Sequence, residues 1–299
     1  MKRRQFALAV VACVWALTSG GAMRAQQGNP APAAPPQFFL GRVSDSMCAG
    51  SHQGKAAAAG WTDRECIFEC VKALAKYVLV DQNNKVIPIA NQDAAGLPLY
   101  AGRPVRISGE LKDGAILITR IEAIPAHLHI FHVMTNWRDT PGTRGFLPVA
   151  ADEARIASTH AKLAMKGPGL DEMKLHAGHV LNALDPSLEP KGPGAGYGVK
   201  KATAGATQHL EFATKGEGMT ANISAHAAPV SATLANVARL TDQAIAVAQK
   251  ARAATDAAEA SKLVAELDSL TTQITAGLQE AQSHMTQMLK GEGLESAPR

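Results

Sequence analysis

From residue 38 to residue 125, apolar residues come in short runs broken by turn chemistry. Five runs rich in Val, Ile and Leu, at 38–44, 77–81, 85–89, 104–109 and 115–121, are too short for helices and read as strands. Asn83-Asn84 and Asp113-Gly114 fall in the breaks, where residues that tolerate positive φ are needed. A helix is predicted at 62–74, because Thr62 followed three residues later by Glu65 spells a capping box. A second, shorter helical turn is expected near 91–95. Five short strands with a small helix before the fourth predict a compact barrel of the OB type, with the Cys-bearing helix inserted after the first strand.

Beyond Ala126 the apolar spacing changes from two to three and four, and alanine, leucine and histidine replace the β-branched runs. Helices are predicted at 127–137, 149–165, 170–184, 199–214, 229–253 and 256–289, the last broken near Gly277. The fifth is started at Pro229, since proline inside a helix removes a hydrogen bond and clashes with the preceding turn. Short Gly/Pro turns between helices favour an antiparallel bundle. The fold class expected is therefore α+β in two domains. A small OB-like β domain covers 38–125, a connector with a His-rich segment 126–148, an Ala-rich helical bundle 149–291 and a disordered tail 292–299.

Residues 1–25 form a different kind of segment. Lys2, Arg3 and Arg4 precede an apolar run at 6–17 and small residues Ser19, Gly20, Gly21 and Ala22, the three regions of a secretory signal peptide. A dozen apolar residues fall short of the roughly 20 that span a bilayer. Residues 26–37 hold four prolines and read as an extended linker. The mature chain is expected to begin near Gln26, to be soluble, and to reside in the periplasm or outside the cell. Composition then changes one inference. The formal charge is +4, but four of the 30 basic residues lie in the leader with no acid, leaving 26 basic against 26 acidic residues. Electrostatics thus gives no support for a nucleic-acid partner.

The cysteines raise the first chemical question. Loss of Cys13 with the leader leaves Cys48, Cys66 and Cys70, an odd number in an oxidising compartment. Cys66 and Cys70 lie one turn apart on a predicted helix. With Cys48 and His52 they make an S₃N set suited to zinc or copper. The competing expectation is one structural disulfide from Cys48 to a helix cysteine, with the other buried. The stretch Ser44-Asp45-Ser46-Met47-Cys48, then His52, Cys66, Cys70-Val71-Lys72 and Lys76-Tyr77-Val78-Leu79-Val80-Asp81 resembles uncharacterised exported bacterial domains bearing an SDSMC…H…C…CVK…KYVLVD string. The resemblance covers about 41–124. It implies an exported OB-like domain and no activity.

Nine of the ten histidines lie at or beyond His127. His176 falls in the stripe Leu170, Met173, His176, Val180, Leu184, with His179 at its border. His209 falls in Val199, Ala202, Ala206, His209, Ala213. His160 aligns with Ile156 and Leu163, with Glu153 two turns before it, and His284 with Leu278, Ala281 and Met288. Inward imidazoles from four helices plus an inward carboxylate are the material of a bundle-core site for a transition metal (zinc, copper or iron) or non-covalent haem. Convergence of Glu153, His160, His176 and His209, with His179 or His284, is expected. Either His127 and His129, as a strand, or His129 and His132, as a helix, share a face at the domain junction. The glycine-rich segment 192–198 matches no phosphate-loop pattern and reads as a flexible connector.

No catalytic triad order, paired acids or catalytic metal motif stands out. The reading reached from sequence is an exported binding protein for a metal ion or haem, with a second Cys/His site in the β domain. The alternative is a structural envelope protein with core histidines and a disulfide.

Overall fold

Val43, Leu79, Val105, Ile107 and Ile116, each at most 0% exposed, form the centre around which five strands assemble. The computed structural model describes residues 37–294 apart from 53, 55–57 and 168, so the expected signal peptide, nearly all of the Pro-rich linker and residues 295–299 lie outside the described residues. The strands are β1 (Gln37–Asp45), β2 (Tyr77–Val80), β3 (Val86–Pro88), β4 (Pro104–Lys112) and β5 (Ala115–Glu122). They form one antiparallel sheet in the order β3-β2-β1-β4-β5.

The first strand is shared. Its residues 37–42 pair with β4 and residues 42–45 pair with β2, with Arg42 facing both Pro104 and Val80. Gly41 sits at this handover, where a Cβ would lie 2.5 Å from the Val80 carbonyl oxygen. Between the outer strands the ladder does not close. A single parallel bridge, Ile89 to Ile116, spans that side.

Helix α1 (Asp63–Lys72) follows β1. Thr62 caps it by accepting the Glu65 N–H, and the Glu65 carboxylate accepts the Thr62 N–H at 2.8 Å, as the capping box requires. Its buried face is Cys66, Ile67 and Cys70. The short helix before β4, α2 (Leu97–Tyr100), starts six residues later than the turn expected near 91–95, because Gly96, at φ 104°, supplies the left-handed conformation that turns the chain into it.

Among the described residues beyond β5 there are six α-helices, with a 3-10 turn at Pro141–Thr143 between the first two: α3 (Pro125–Met134), α4 (Phe146–Lys166), α5 (Leu170–Leu184), α6 (Val199–Lys215), α7 (Ala221–Ala253) and α8 (Ala257–Gly291). The helix expected at 127–137, within the stretch 126–148 set apart as a connector, is α3. Ala126, Ile130 and Val133 bury its apolar face in the helical core, which outweighs the separation suggested by the change in composition. Helix α7 starts at Ala221 and runs through Pro229. Thr220 caps it by accepting the Ile223 N–H at 3.0 Å, so the loss of one hydrogen bond at Pro229 is carried inside a 33-residue helix. Helix α8 is unbroken at Gly277, whose missing Cβ would meet Val237 at 2.8 Å. The glycine serves close approach of α7 and α8 rather than a kink.

Of the tail expected to be disordered, residues 292–294 are described and are held in place. Glu292 accepts hydrogen bonds from Thr220 and from Asn222 Nδ2 (2.8 Å), and Leu294 is buried. Sheet and helices keep separate apolar clusters yet belong to one compact unit. They are joined where Arg106 of β4, paired with Glu122 of β5, also pairs with Glu217 after α6. Among the described residues no helix is long and apolar enough to cross a membrane.

Candidate metal centres

Helix α3 buries Ala126, His127, Ile130 and Val133, which leaves His129 and His132, three residues apart, on its flank toward α6. Helix α6 buries Val199, Ala202, Ala206, Leu210 and Ala213, and His209 lies within that stripe, 7% exposed. The three rings meet through the same atom. His209 Nδ1 lies 3.0 Å from His129 Nδ1 and 3.2 Å from His132 Nδ1. Aromatic rings surround them. His209 stacks on Phe146 at 5.3 Å, Trp137 lies 4.7 Å from both His132 and His209, and Phe212 lies 5.2 Å from His129.

The second centre repeats this plan on α4 and α5. His176 and His179, again three residues apart on one helix, meet a single histidine of the neighbouring helix. His160 Nδ1 lies 3.0 Å from His176 Nδ1 and 3.2 Å from His179 Nδ1. Glu172 stands behind His176, with 3.7 Å between Oε2 and Nε2, the place of an outer carboxylate that orients a ligand ring.

Both centres favour neutral imidazole. Burial pushes His209 down to about 4, with His132 and His129 adding to the shift. Burial also lowers His129, His132, His160 and His179, helped at His132 by His129, at His160 by His179 and His176, and at His179 by His176. Neutral imidazole is the form that ligates metal.

The structure thus divides the residues expected to converge. His160, His176 and His179 are together; His209 is with His129 and His132 instead. His284 meets His226, Nδ1 to Nδ1 at 3.5 Å, a pair with two rings rather than three. Nor does His160 lie on the core stripe of α4. That stripe is Ala150, Glu153, Ala154, Ala157, Ala161 and Ala164, while Ile156 and His160 are half-buried beside it. Alanines let the neighbouring helices approach on that face, and the larger side chains fall at its edge.

Glu153 is no metal ligand here. Its carboxylate is fully buried and accepts the N–H groups of Ala195 (3.2 Å), Tyr197 (3.1 Å) and Gly198 (3.0 Å), with Gly194 N–H donating to Asn182 Oδ1 at 2.9 Å. The segment 192–198, expected as a flexible connector, is therefore fixed to the chain's own anion at the start of α6. Helix N-termini bind carboxylates for this reason.

In the sheet part, Cys48 Sγ lies 3.6 Å from Cys70 Sγ and 3.9 Å from Cys66 Sγ, and none of the three is in a disulfide. These separations are far from the roughly 2.05 Å of a disulfide. Burial raises the Cys48 and Cys66 thiols above their ordinary range. His52 does not join the three sulfurs as one four-residue group; it groups with Asp45 and Cys48. Its Nε2 lies 3.0 Å from Ser44 Oγ. Sequence reasoning passed over Asp45, which carries no spacing signal. For His129 and His132 the i, i+3 signal was present, but their partner is 77 to 80 residues away.

No family model, curated protein or solved structure matches this chain.

Proposed function

We propose that the protein is an exported metal-binding protein that holds one transition-metal ion at His129, His132 and His209 and another at His160, His176 and His179. One observation carries the reading: at each centre a single Nδ1 faces two others at 3.0 and 3.2 Å. A neutral Nδ1 has either one proton or one in-plane lone pair, so it satisfies one neighbour and not two. A cation between the rings accepts all three lone pairs at once. Tetrahedral ligands at the usual Zn–N distance stand about 3.3 Å apart, within a few tenths of an ångström of these separations. That spacing leaves room for one atom between the rings and none for a macrocycle, which favours an ion over haem. Imidazole-only centres suit zinc, copper, iron or nickel.

Export follows from the leader pattern at 1–25. The OB-like reading of the β part draws on its strand order and on the Ile89–Ile116 bridge facing the open side. Charge neutrality beyond the leader speaks for no nucleic-acid partner.

The test is metal analysis of protein recovered from the exported compartment, followed by Zn(II) titration of the stripped protein. Two equivalents are expected at the histidine centres. His160→Ala and His209→Ala should each remove one, and His284→Ala neither. A stripped protein whose melting temperature ignores zinc, copper and nickel, and which takes up none of them, overturns the proposal. A saturating ligand at 100 times its Kd stabilises by about 2.7 kcal/mol, so a real site is visible in such a melt.

A further inference from the structure

We propose that Cys48, Cys66 and Cys70 form a separate thiolate site for a thiophilic ion, Zn(II) or Cu(I), with Asp45 and His52 as its polar partners. The sulfurs come from two elements. Cys66 and Cys70 occupy one face of α1, both 0% exposed, and Cys48 reaches them from the turn after β1. That turn is built to hold Cys48 in place: Asp45 Oδ1 accepts the N–H groups of Met47 and Cys48, each at 2.9 Å. The ligand atoms of all three cysteines lie within 4.8 Å of one another. Zn–S bonds of about 2.3 Å put tetrahedral sulfurs about 3.8 Å apart, between the 3.6 and 3.9 Å seen at Cys48.

A second observation points to a ligand independently of the sulfurs. Asp45 Oδ2 and His52 Nδ1 are both buried and without a hydrogen-bond partner, 3.7 Å apart, on side chains with no exposure. Together with Cys48 Sγ they make a second group within 4.8 Å, so the Cys48 sulfur belongs to both groups. A buried carboxylate oxygen without a donor is costly. A cation beside Cys48 offsets that cost, with Asp45 and His52 facing it from the Cys48 side of the three sulfurs. Three thiolates select soft ions, in contrast to the all-imidazole centres of the helical part. On binding, each sulfur exchanges its S–H proton for a bond to the ion, and those protons go to solvent; no electron transfer is involved.

The probe is Cd(II), added to reduced, metal-free mature chain carrying His160→Ala and His209→Ala, so that the result does not depend on the histidine centres. One equivalent should bind with near-ultraviolet thiolate-to-cadmium absorption, release protons, and shield all three cysteines from alkylation until a chelator is added. Cys48→Ser, in a half-buried turn outside the strands and helices, should weaken the absorption and the shielding while leaving the far-ultraviolet dichroism unchanged. Asp45→Asn and His52→Ala should lower affinity about 10- to 100-fold, as loss of a ligand or its orienting partner does. Cysteines that alkylate equally with and without Cd(II) overturn the site. So does protein from the exported compartment in which one thiol labels freely and two label only after reductant, since that is a disulfide.

Discussion

His209 Nδ1 lies 3.0 Å from His129 Nδ1 although 80 residues separate the two in the chain. The same distance separates His160 and His176. In both centres two histidines come from positions i and i+3 of one helix and the third from the helix packed against it. The two groups have no ligand residue in common. With both sites loaded, loss of one by His209→Ala should leave the zinc affinity of the other within about a factor of two, as sites without shared partners behave additively. Calorimetric titration of each single variant checks this.

Acid should destabilise the metal-free protein before ordinary carboxylates protonate. His209 is held at about 4 in the folded chain, and His129, His132, His160 and His179 are also lowered. The unfolded chain takes up those protons first, near pH 6.5. Stability is therefore full above about pH 6.5 and lost progressively as pH falls toward 4. Urea midpoints in chelator at pH 7.5, 6.5 and 5.5 should fall in that order, and more steeply for metal-loaded protein, where protons also displace the ion.

Replacing Glu153 by alanine strands three N–H groups at the start of α6. A loss on the order of 3 kcal/mol is expected, since each unsatisfied buried donor costs about 1–3 kcal/mol. Glu153→Gln keeps one acceptor oxygen and should lose less. Metal stoichiometry at the histidine centres should stay at two in both variants, a result that a ligand role for Glu153 would not give. Denaturation and metal analysis on the same samples decide it.

Glu292 ties the end of α8 to the starts of α3 and α7. Burial pushes its carboxyl up, but the hydrogen bonds with His127 (2.8 Å), Thr220 and Asn222 outweigh this and hold it below the usual carboxylate range. Glu292→Ala should cost about 1–3 kcal/mol, in line with truncating a buried charged hydrogen-bond partner. Wild type should lose this contribution below about pH 4.5, as the carboxylate protonates. Thermal melts of the variant and of wild type at pH 7 and pH 4 check both statements.

Gly277→Leu should destabilise by about 1–3 kcal/mol through overpacking against Val237. Val237→Ala should recover part of the loss. The double-variant cycle, read by urea unfolding, measures the coupling directly.

Much of this architecture was legible in the chain because its causes are local. Thr62 and Glu65 cap α1 across three residues, helix α5 begins at Leu170 and ends at Leu184 as its periodicity and flanking breaks predict, and the five strands follow their β-branched runs. The three cysteines, too, were legible as one group, since two share a helix face and the third sits in the turn after the preceding strand. Which histidines meet was not. In α4 several stripes are compatible with the helical period, and the choice fell to the alanines, whose small side chains let neighbouring helices approach and so turned His160 to the flank. His209 is buried on α6 as its stripe foretold, yet its partners belong to α3, a helix predicted at 127–137 whose facing element no local pattern names. Glu153 looked like a ligand because it is a carboxylate on a buried face; the acceptor role it fills depends on N–H groups 42 to 45 residues later. Capping, periodicity and turn chemistry act within a few residues and are written in the sequence, whereas the rotation of each helix about its axis is set by long-range packing, and that rotation decides which side chains face one another.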